Sequence, residues 1–380
     1  MFKNKGGNDK TLSRLRKKID DIDQKIVDLL AERKKIVNSV VADKKARNLP
    51  VYHPAREENI ISARRDQARQ AGIDPDHVEE LFRLIMRQSR LVQTGHMAGQ
   101  GIKPGETILI VGGYGEIGQY LEKLFSGAGY RVRLMGRRDW PGVKRLCDGV
   151  GLAIISVPIE STVETIYRIG PHLSEKTILA DVTSIKQAPV RAMLDAHKGP
   201  VIGLHPLFGP TTSSLDKQII VATPGRDQES CQWIIDQFSA WGAVIVMSTP
   251  DEHDEIMGIV QALRHFATFA FGGFLREKRV PLSRTLEFSS PIYRLELGMV
   301  GRLFAQNASL YAEIIFASEK RRALIKDYIA TIGKYGDMIE SNDKDMFKAE
   351  FDKIAKWFGP FSEQALRESS FLIDKLIERF

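Results

Sequence analysis

The stretch TILIVGGYGEIGQYLEKLF, residues 107 to 125, constrains this chain more than any other. Five apolar or β-branched residues make a run of the length of a buried parallel strand. The run passes into Gly113, Gly115 and Gly118, spaced G-x-G-x-x-G, and then into a helical pattern, and a further strand-like run begins near Arg131. Strand, glycine turn, helix and strand in this order predict a βαβ unit of a Rossmann-type α/β sheet that binds a dinucleotide. Gly113 allows the tight turn, Gly115 lets a pyrophosphate approach the backbone, and Gly118 lets the helix pack on the sheet. Tyr114, Glu116 and Ile117 complete the loop, and the helix N-terminus faces the phosphates. The end of the second strand reads RLMGRRDW. An NAD site usually has an acid there for the ribose hydroxyls. Here Arg137 and Arg138 follow Gly136, and Asp139 comes too late to take the acid's place. An arginine pairs with a 2′-phosphate, so NAD or NADP is expected, with a lean towards NADP. The alternative is that both arginines point to solvent.

The strand rhythm continues through LAIISV, TILADV, VIGLH, QIIVAT and AVIVM, so residues 107–249 are expected to form the nucleotide-binding domain. Residues 1–98 carry only helical patterns, 99–106 form a Gly-containing linker, and 250–380 are again helical. The expected protein is therefore multi-domain: all-α, then α/β, then all-α.

In the first domain Leu12, Leu15, Ile19, Ile22, Ile26 and Leu29 form one seam of a long helix. Continuing the stepping puts Arg33 and Lys44 where apolar residues belong, with Arg16 beside the stripe. A cation on a seam is costly unless an anion meets it. Arg16 and Arg33 are 17 residues apart, roughly 25 Å along a helix. One small ligand cannot touch both in one chain, so a shared site requires Arg16 from a second subunit, in a homodimer. The alternative is an ordinary helical hairpin whose cations reach to its edges.

His205 ends the run VIGLH and is followed by Pro206, Gly209 and Pro210. A strand-end histidine is commonly a surface residue or a satisfied core residue; a catalytic one needs such a rigid mount. Composition narrows the class. The hydrophobic fraction is 43%, the charged fraction 27% and the net charge +7. Acids and bases alternate, so the surplus suits pockets for a small anion better than nucleic acid. The two cysteines, Cys147 and Cys231, form no CxxC pair, and no histidine pair has metal-ligand spacing, so no metal is expected. His77, His96, His172 and His197 read as surface residues. No apolar run reaches membrane-spanning length and the N-terminus lacks a signal, so a cytoplasmic setting is expected.

LRKKID, LLAER, Lys44, PAREENI and RQSRLVQ resemble the helical chorismate mutase domain. GGYGEIG, DVTSIK, GLHPLFGP, EHD, QALRHF and SSPIYRLELGMVGRLFAQ resemble prephenate dehydrogenase. In this order, over residues 11 to 370, the chain is similar to the bifunctional chorismate mutase/prephenate dehydrogenases of tyrosine biosynthesis. The resemblance implies a cage for chorismate from Arg16 of a partner, Arg33, Lys44 and Arg56, completed by Glu57, Ser89 and Gln93. Lys44 and Gln93 would donate to the breaking ether oxygen. Some relatives have an acid where His53 stands, which puts one hydroxyl contact in doubt. The resemblance makes His205 the group that hydrogen-bonds the 4-hydroxyl of prephenate, with Ser184 near it, and Arg302 the partner of the ring carboxylate. Arg294, Gly298 and Arg302 share a helical ridge; Arg294 fits substrate contact or a structural salt bridge. His265 could face the side-chain carboxylate or pack its helix, and Lys186 is similarly open. Two alternatives stand beside this reading: a dehydrogenase with a non-catalytic N-terminal arm, and arogenate in place of prephenate.

Overall fold

The computed structural model describes residues 6–46, 51–98, 101–212 and 214–377, and the side chains of 11–44, 51–94, 101–212 and 214–374. The chain divides into two compact units. One holds the N-terminal helices and the sheet; the other holds Pro158–Ser161, Ser184–Gln187 and the residues from Pro250 onward.

The N-terminal segment folds as α1 (Gly6–Ala46), α2 (Pro54–Ala71) and α3 (Pro75–Ala98). No proline or glycine interrupts residues 8 to 46, so α1 runs unbroken for 41 residues. Its seam faces outward: Leu12, Leu15, Ile19, Ile22, Ile26 and Leu29 are all exposed. The start of α2 is set by His53, whose Nδ1 accepts from the Arg56 amide at 3.2 Å, and by Pro54 in the first turn. Gly72, at φ +68°, ends it in the left-handed region. α3 continues to Ala98, up to the stretch 99–106 that reads as linker in the sequence.

All seven strand-like runs form strands: β1 (Thr107–Val111), β2 (Arg131–Met135), β3 (Leu152–Ile155), β4 (Ile178–Asp181), β5 (Val201–Pro206), β6 (Ile219–Arg226) and β7 (Val244–Met247). They make one sheet in the order β2-β1-β3-β4-β5-β6-β7, parallel except for the β5–β6 pair. The strand order reverses between β1 and β3, the crevice where open α/β sheets bind ligands. Successive residues of β1 serve opposite cores. Ile108 and Ile110 join Phe125, Phe238 and Trp241 on one side, and Leu109 and Val111 join Met135, Ile166 and Met193 on the other. Phe125 meets Trp241 edge-on with centroids 5.0 Å apart. His197 departs from expectation. It is buried, and its Nε2 donates to the Thr177 carbonyl at 2.7 Å, tying the end of one crossover helix to the residue before β4. His172 is half-buried, His77 is exposed, and the His96 side chain lies outside the described residues.

After β7 the described chain is helical throughout, from Pro250 to Ile377. The helix Pro291–Phe304 is capped by Ser290, whose hydroxyl accepts from the Tyr293 amide.

The turn after β1 tests the sheet's tightest approach. Gly112 has φ +87°, and a Cβ on it would stand 2.1 Å from the Ser156 carbonyl oxygen. Gly149, at φ +65°, has open space around it. Gly149→Ala meets backbone strain alone, about 1–2 kcal/mol. Gly112→Ala adds a backbone clash and should cost about 3 kcal/mol or more. Equilibrium denaturant unfolding checks the order, and equal losses in the two variants would refute the crowding at Gly112.

Candidate active sites

The N-terminal helices gather polar side chains on their facing surfaces. Arg33 on α1 donates through Nη1 to Ser89 Oγ on α3, and Ser89 Oγ donates to the Ile85 carbonyl at 2.8 Å. Lys44 Nζ donates to the Val51 carbonyl at 2.7 Å. Burial lowers the pKa of Arg33. Burial also lowers that of Lys44, against the opposing pull of the Glu57 charge, which places Lys44 within reach of Glu57. Gln93 follows Ser89 by one turn of α3 and is 8% exposed, and its Oε1 is buried with no hydrogen-bond partner. An unmet buried amide oxygen is costly. Two half-buried cations suit a compact anion better than a structural core, and the Gln93 oxygen is left as an acceptor for a donor group. Arg56 is exposed in the first turn of α2, and Arg16 is exposed on α1, about five turns before Arg33.

One member of this group is not visible in the sequence pattern. Arg90 is 6% exposed and lies one helical turn after the buried Met86. Its Nη1 donates to Glu57 Oε1, and its Nε donates to Asp216 Oδ1 at 2.7 Å. Lys217 Nζ stands 3.2 Å from Glu57 Oε2. Burial opposes the charge on Arg90, but the hydrogen bonds to Asp216 and Glu57 outweigh it and raise the pKa. The step from Met86 to Arg90 on one face was the available signal; the partners lie 33 and 126 residues away.

The glycine loop has the form of a phosphate cradle. A Cβ on Gly118 would lie 2.6 Å from the Gly112 carbonyl oxygen, and one on Gly113 would lie 2.7 Å from Leu134 Cδ2. Those two glycines are required by the fold. Gly115 differs: its nearest neighbour would be Gly112 O at 3.4 Å, so the chain itself leaves that position open. Gly115 also caps α4 (Glu116–Gly127) with no side-chain hydrogen bond to the first amides. A bare helix N-terminus behind an open glycine fits a dinucleotide pyrophosphate. Tyr114 is exposed, and its ring lies against Gly136, where a Cβ would approach to 2.7 Å. Ile117 packs against the core beside β1. Arg137 and Arg138 are both exposed. Asp139, too distant by sequence, folds back so that its Oδ2 accepts from the Gly136 amide at 2.8 Å.

His205 is 2% exposed and pairs in register with Val221 of β6, so the adjacent antiparallel strand fixes its backbone. Ser184 comes three residues after β4, the parallel neighbour of β5, and is half-buried. In the second unit, His265 packs edge-on against Tyr311 with centroids 4.8 Å apart. Burial, then the Arg264 charge, lower the His265 pKa. Burial raises the pKa of Tyr311 and the charge of the exposed Arg302 opposes it. Tyr311, which the sequence pattern did not single out, therefore links His265 to Arg302. Arg294 donates through Nη2 to the Leu286 carbonyl at 2.6 Å, a backbone anchor. Lys186 is fully buried, and its amide donates to Asp254 Oδ1 at 2.8 Å. Asp254 also accepts from the Gln187 amide at 3.0 Å and from His253 Nδ1 at 2.8 Å. Burial works against its charge, and these donors outweigh burial and lower its pKa.

Comparison with known proteins agrees with each segment. Residues 15–94 match the family model of type II chorismate mutase. Residues 139–247 match the nucleotide-binding domain of prephenate dehydrogenase, and 249–353 its dimerization domain. The T-protein of Enterobacter agglomerans is 43% identical over 362 residues, 95% of this chain and 97% of that protein. The T-protein of Haemophilus influenzae is 40% identical over 364 residues, 96% and 97% of the two chains. Among solved structures, Aquifex aeolicus prephenate dehydrogenase in complex with hydroxyphenyl propionate and NAD+ shares the fold. Its TM-score is 0.54 at 17% identity, covering 67% of this chain and 99% of that one. Synechocystis arogenate dehydrogenase gives 0.53 at 18% identity, over 68% and 99%. The chain belongs to the T-protein family, the bifunctional NAD(P)-dependent enzymes of tyrosine biosynthesis that join a chorismate mutase to a prephenate dehydrogenase.

Proposed function

We propose that residues 1–98 are the mutase domain, 99–106 a linker, 107–249 the nucleotide domain and 250–380 the helical dehydrogenase domain, and that the side chains above divide two reactions between them. The rearrangement of chorismate to prephenate is pericyclic and needs no nucleophile. The protein has to hold a dicarboxylate compact and stabilise charge on the breaking ether oxygen. Arg33, Arg56 and the Arg16 of a second subunit clamp the carboxylates. Lys44 and the Gln93 amide donate to the ether oxygen. Ser89 orients Arg33 through the hydrogen bond already present between them. Glu57 is an acid beside the cations of α1 and α2. It therefore takes the substrate's hydroxyl, its one group that donates and carries no charge. The half-buried Arg33, donating from α1 to Ser89 on α3, carries this reading most directly.

In the dehydrogenase, His205 accepts a hydrogen bond from the 4-hydroxyl of prephenate and draws off positive charge as that oxygen becomes a carbonyl. Ser184 assists at the same hydroxyl. Arg302 pairs with the ring carboxylate, which leaves as CO2 and restores aromaticity, and His265 faces the side-chain carboxylate. Gly113 to Gly118 hold the dinucleotide, which supplies the acceptor for the hydride leaving C4. NADP is preferred over NAD: no acid ends β2, Arg137 and Arg138 are free to meet a 2′-phosphate, and the nearby Asp139 carboxylate is engaged by the Gly136 amide. The subunits pair as homodimers, a reading supported by the dimerization-domain match and the exposed seam of α1.

Three measurements test these roles. His205→Asn should lower prephenate oxidation at least about a hundredfold and leave the mutase unchanged; equal loss in both activities would rule out its assigned role. With chorismate as sole substrate, NADP should be reduced faster than NAD, and Arg137→Ala with Arg138→Ala should erase the difference. Mixing Arg16→Ala with Arg33→Ala subunits should restore about a quarter of wild-type mutase activity, since half the dimers are mixed and each has one intact site. No recovery on mixing would contradict the shared site.

A further inference from the structure

The Glu57 carboxylate sits among cations that face a dianionic substrate, and both its oxygens are already held. Arg90 Nη1 takes Oε1, and Lys217 Nζ lies 3.2 Å from Oε2. Arg90 is fixed in turn by Asp216, whose Oδ1 accepts from its Nε at 2.7 Å. Two acids and two bases thus close a neutral quartet. The Arg90, Asp216 and Glu57 side chains are 7%, 9% and 12% exposed. The Tyr52 ring lies against both cations, 4.5 Å from Lys217 Nζ and 5.8 Å from Arg90 Cζ.

Half of this quartet does not belong to the helices. Asp216 and Lys217 lie in the turn before β6. That turn is built to present them. Lys217 adopts φ +59°, a conformation unusual for a side chain of its size, and its amide donates to the Gly242 carbonyl at 2.9 Å. The Asp216 amide donates to Ser214 Oγ at 2.9 Å. Gly242 has φ +96°, and a Cβ there would come within 3.2 Å of Asp216 Cα and 3.3 Å of Thr94 Oγ1. The backbone is held open where α3 meets the turn.

We infer that Asp216 and Lys217, residues of the nucleotide domain, are positioning residues of the mutase: with Arg90 they hold the Glu57 carboxylate in the orientation that receives the hydroxyl of chorismate. This rests on the role given to Glu57 above. A carboxylate has about four lone-pair sites. Two are spent on Arg90 and Lys217, and those left point away from the two cations. Asp216 keeps the guanidinium of Arg90 in the quartet, where it cannot turn to a substrate carboxylate and bind it in an unreactive pose. The mutase site is therefore completed by a turn of the nucleotide domain.

The test uses the full-length protein and steady-state kinetics of chorismate loss, with oxidation of added prephenate as the measure of folding. Lys217→Met should raise KM for chorismate about tenfold and change kcat less than about threefold, with prephenate oxidation unaltered. Asp216→Ala should act in the same direction, and Asp216→Glu should recover most of the loss. In a Glu57→Gln background, Lys217→Met should add nothing, because the amide carries no charge for it to hold. Wild-type chorismate kinetics in Lys217→Met and Asp216→Ala, with Glu57→Gln impaired, would overturn the inference alone. Unimpaired Glu57→Gln would overturn the role of Glu57 and the inference with it. Full additivity of Lys217→Met with Glu57→Gln would also overturn it, since the lysine would then act elsewhere.

Discussion

A parallel sheet has to be covered on both faces, and in this protein β1 is the strand on which that requirement falls hardest. All five of its residues are buried, alternating between two cores. Each parallel neighbour must then be reached by a crossover, so the carboxyl ends of β1 to β5 open on one edge. The glycine loop after β1, the Gly136 turn after β2, Ser184 after β4 and His205 in β5 all follow from that one constraint. The loop is tight because the neighbouring strand comes so close: the carbonyl of Ser156, the residue after β3, stands where a side chain on Gly112 would be. Crowding fixes Gly113 and Gly118, and Gly115 between them is left open.

The helical domain solves the opposite problem. Among its described residues the interior mixes apolar side chains such as Ile61, Ala68 and Met86 with charges, and those charges are arranged by pairing. Arg33 rests on Ser89, Lys44 on a backbone carbonyl, and Glu57 between Arg90 and Lys217. Burying such groups gives little net stability, because desolvation offsets most of the attraction. What it provides is fixed direction, which a reaction without acid, base or nucleophile needs most.

The sequence made the sheet legible because each strand carries its own signal. Short β-branched runs between glycine and proline turns mark all seven strands, and the glycine spacing marks the nucleotide loop. Arg33 and Lys44 were legible as cations interrupting the apolar seam of α1. What could not be read depends on contacts between distant segments. Arg90 meets Asp216 across 126 positions, and neither residue has an unusual neighbourhood in sequence. Tyr311 matters only because it packs against His265. His197 follows a helix end with polar neighbours, so it reads as surface until the strand beside it is in place. Asp139 seemed too far along because a turn brings it back to Gly136, and a count of residues does not see a turn.

The unbroken α1 also limits how this segment can change. It carries its exposed apolar seam at one end and the inward-facing Arg33 and Lys44 at the other, with no loop between to absorb a difference in length. One residue added or lost between Leu29 and Arg33 would swing the seam by about 100° relative to both cations. Seven residues, two full turns, would restore the direction but displace the ends by about 10 Å. Between these points the helix can vary in what it is made of, but its length is fixed.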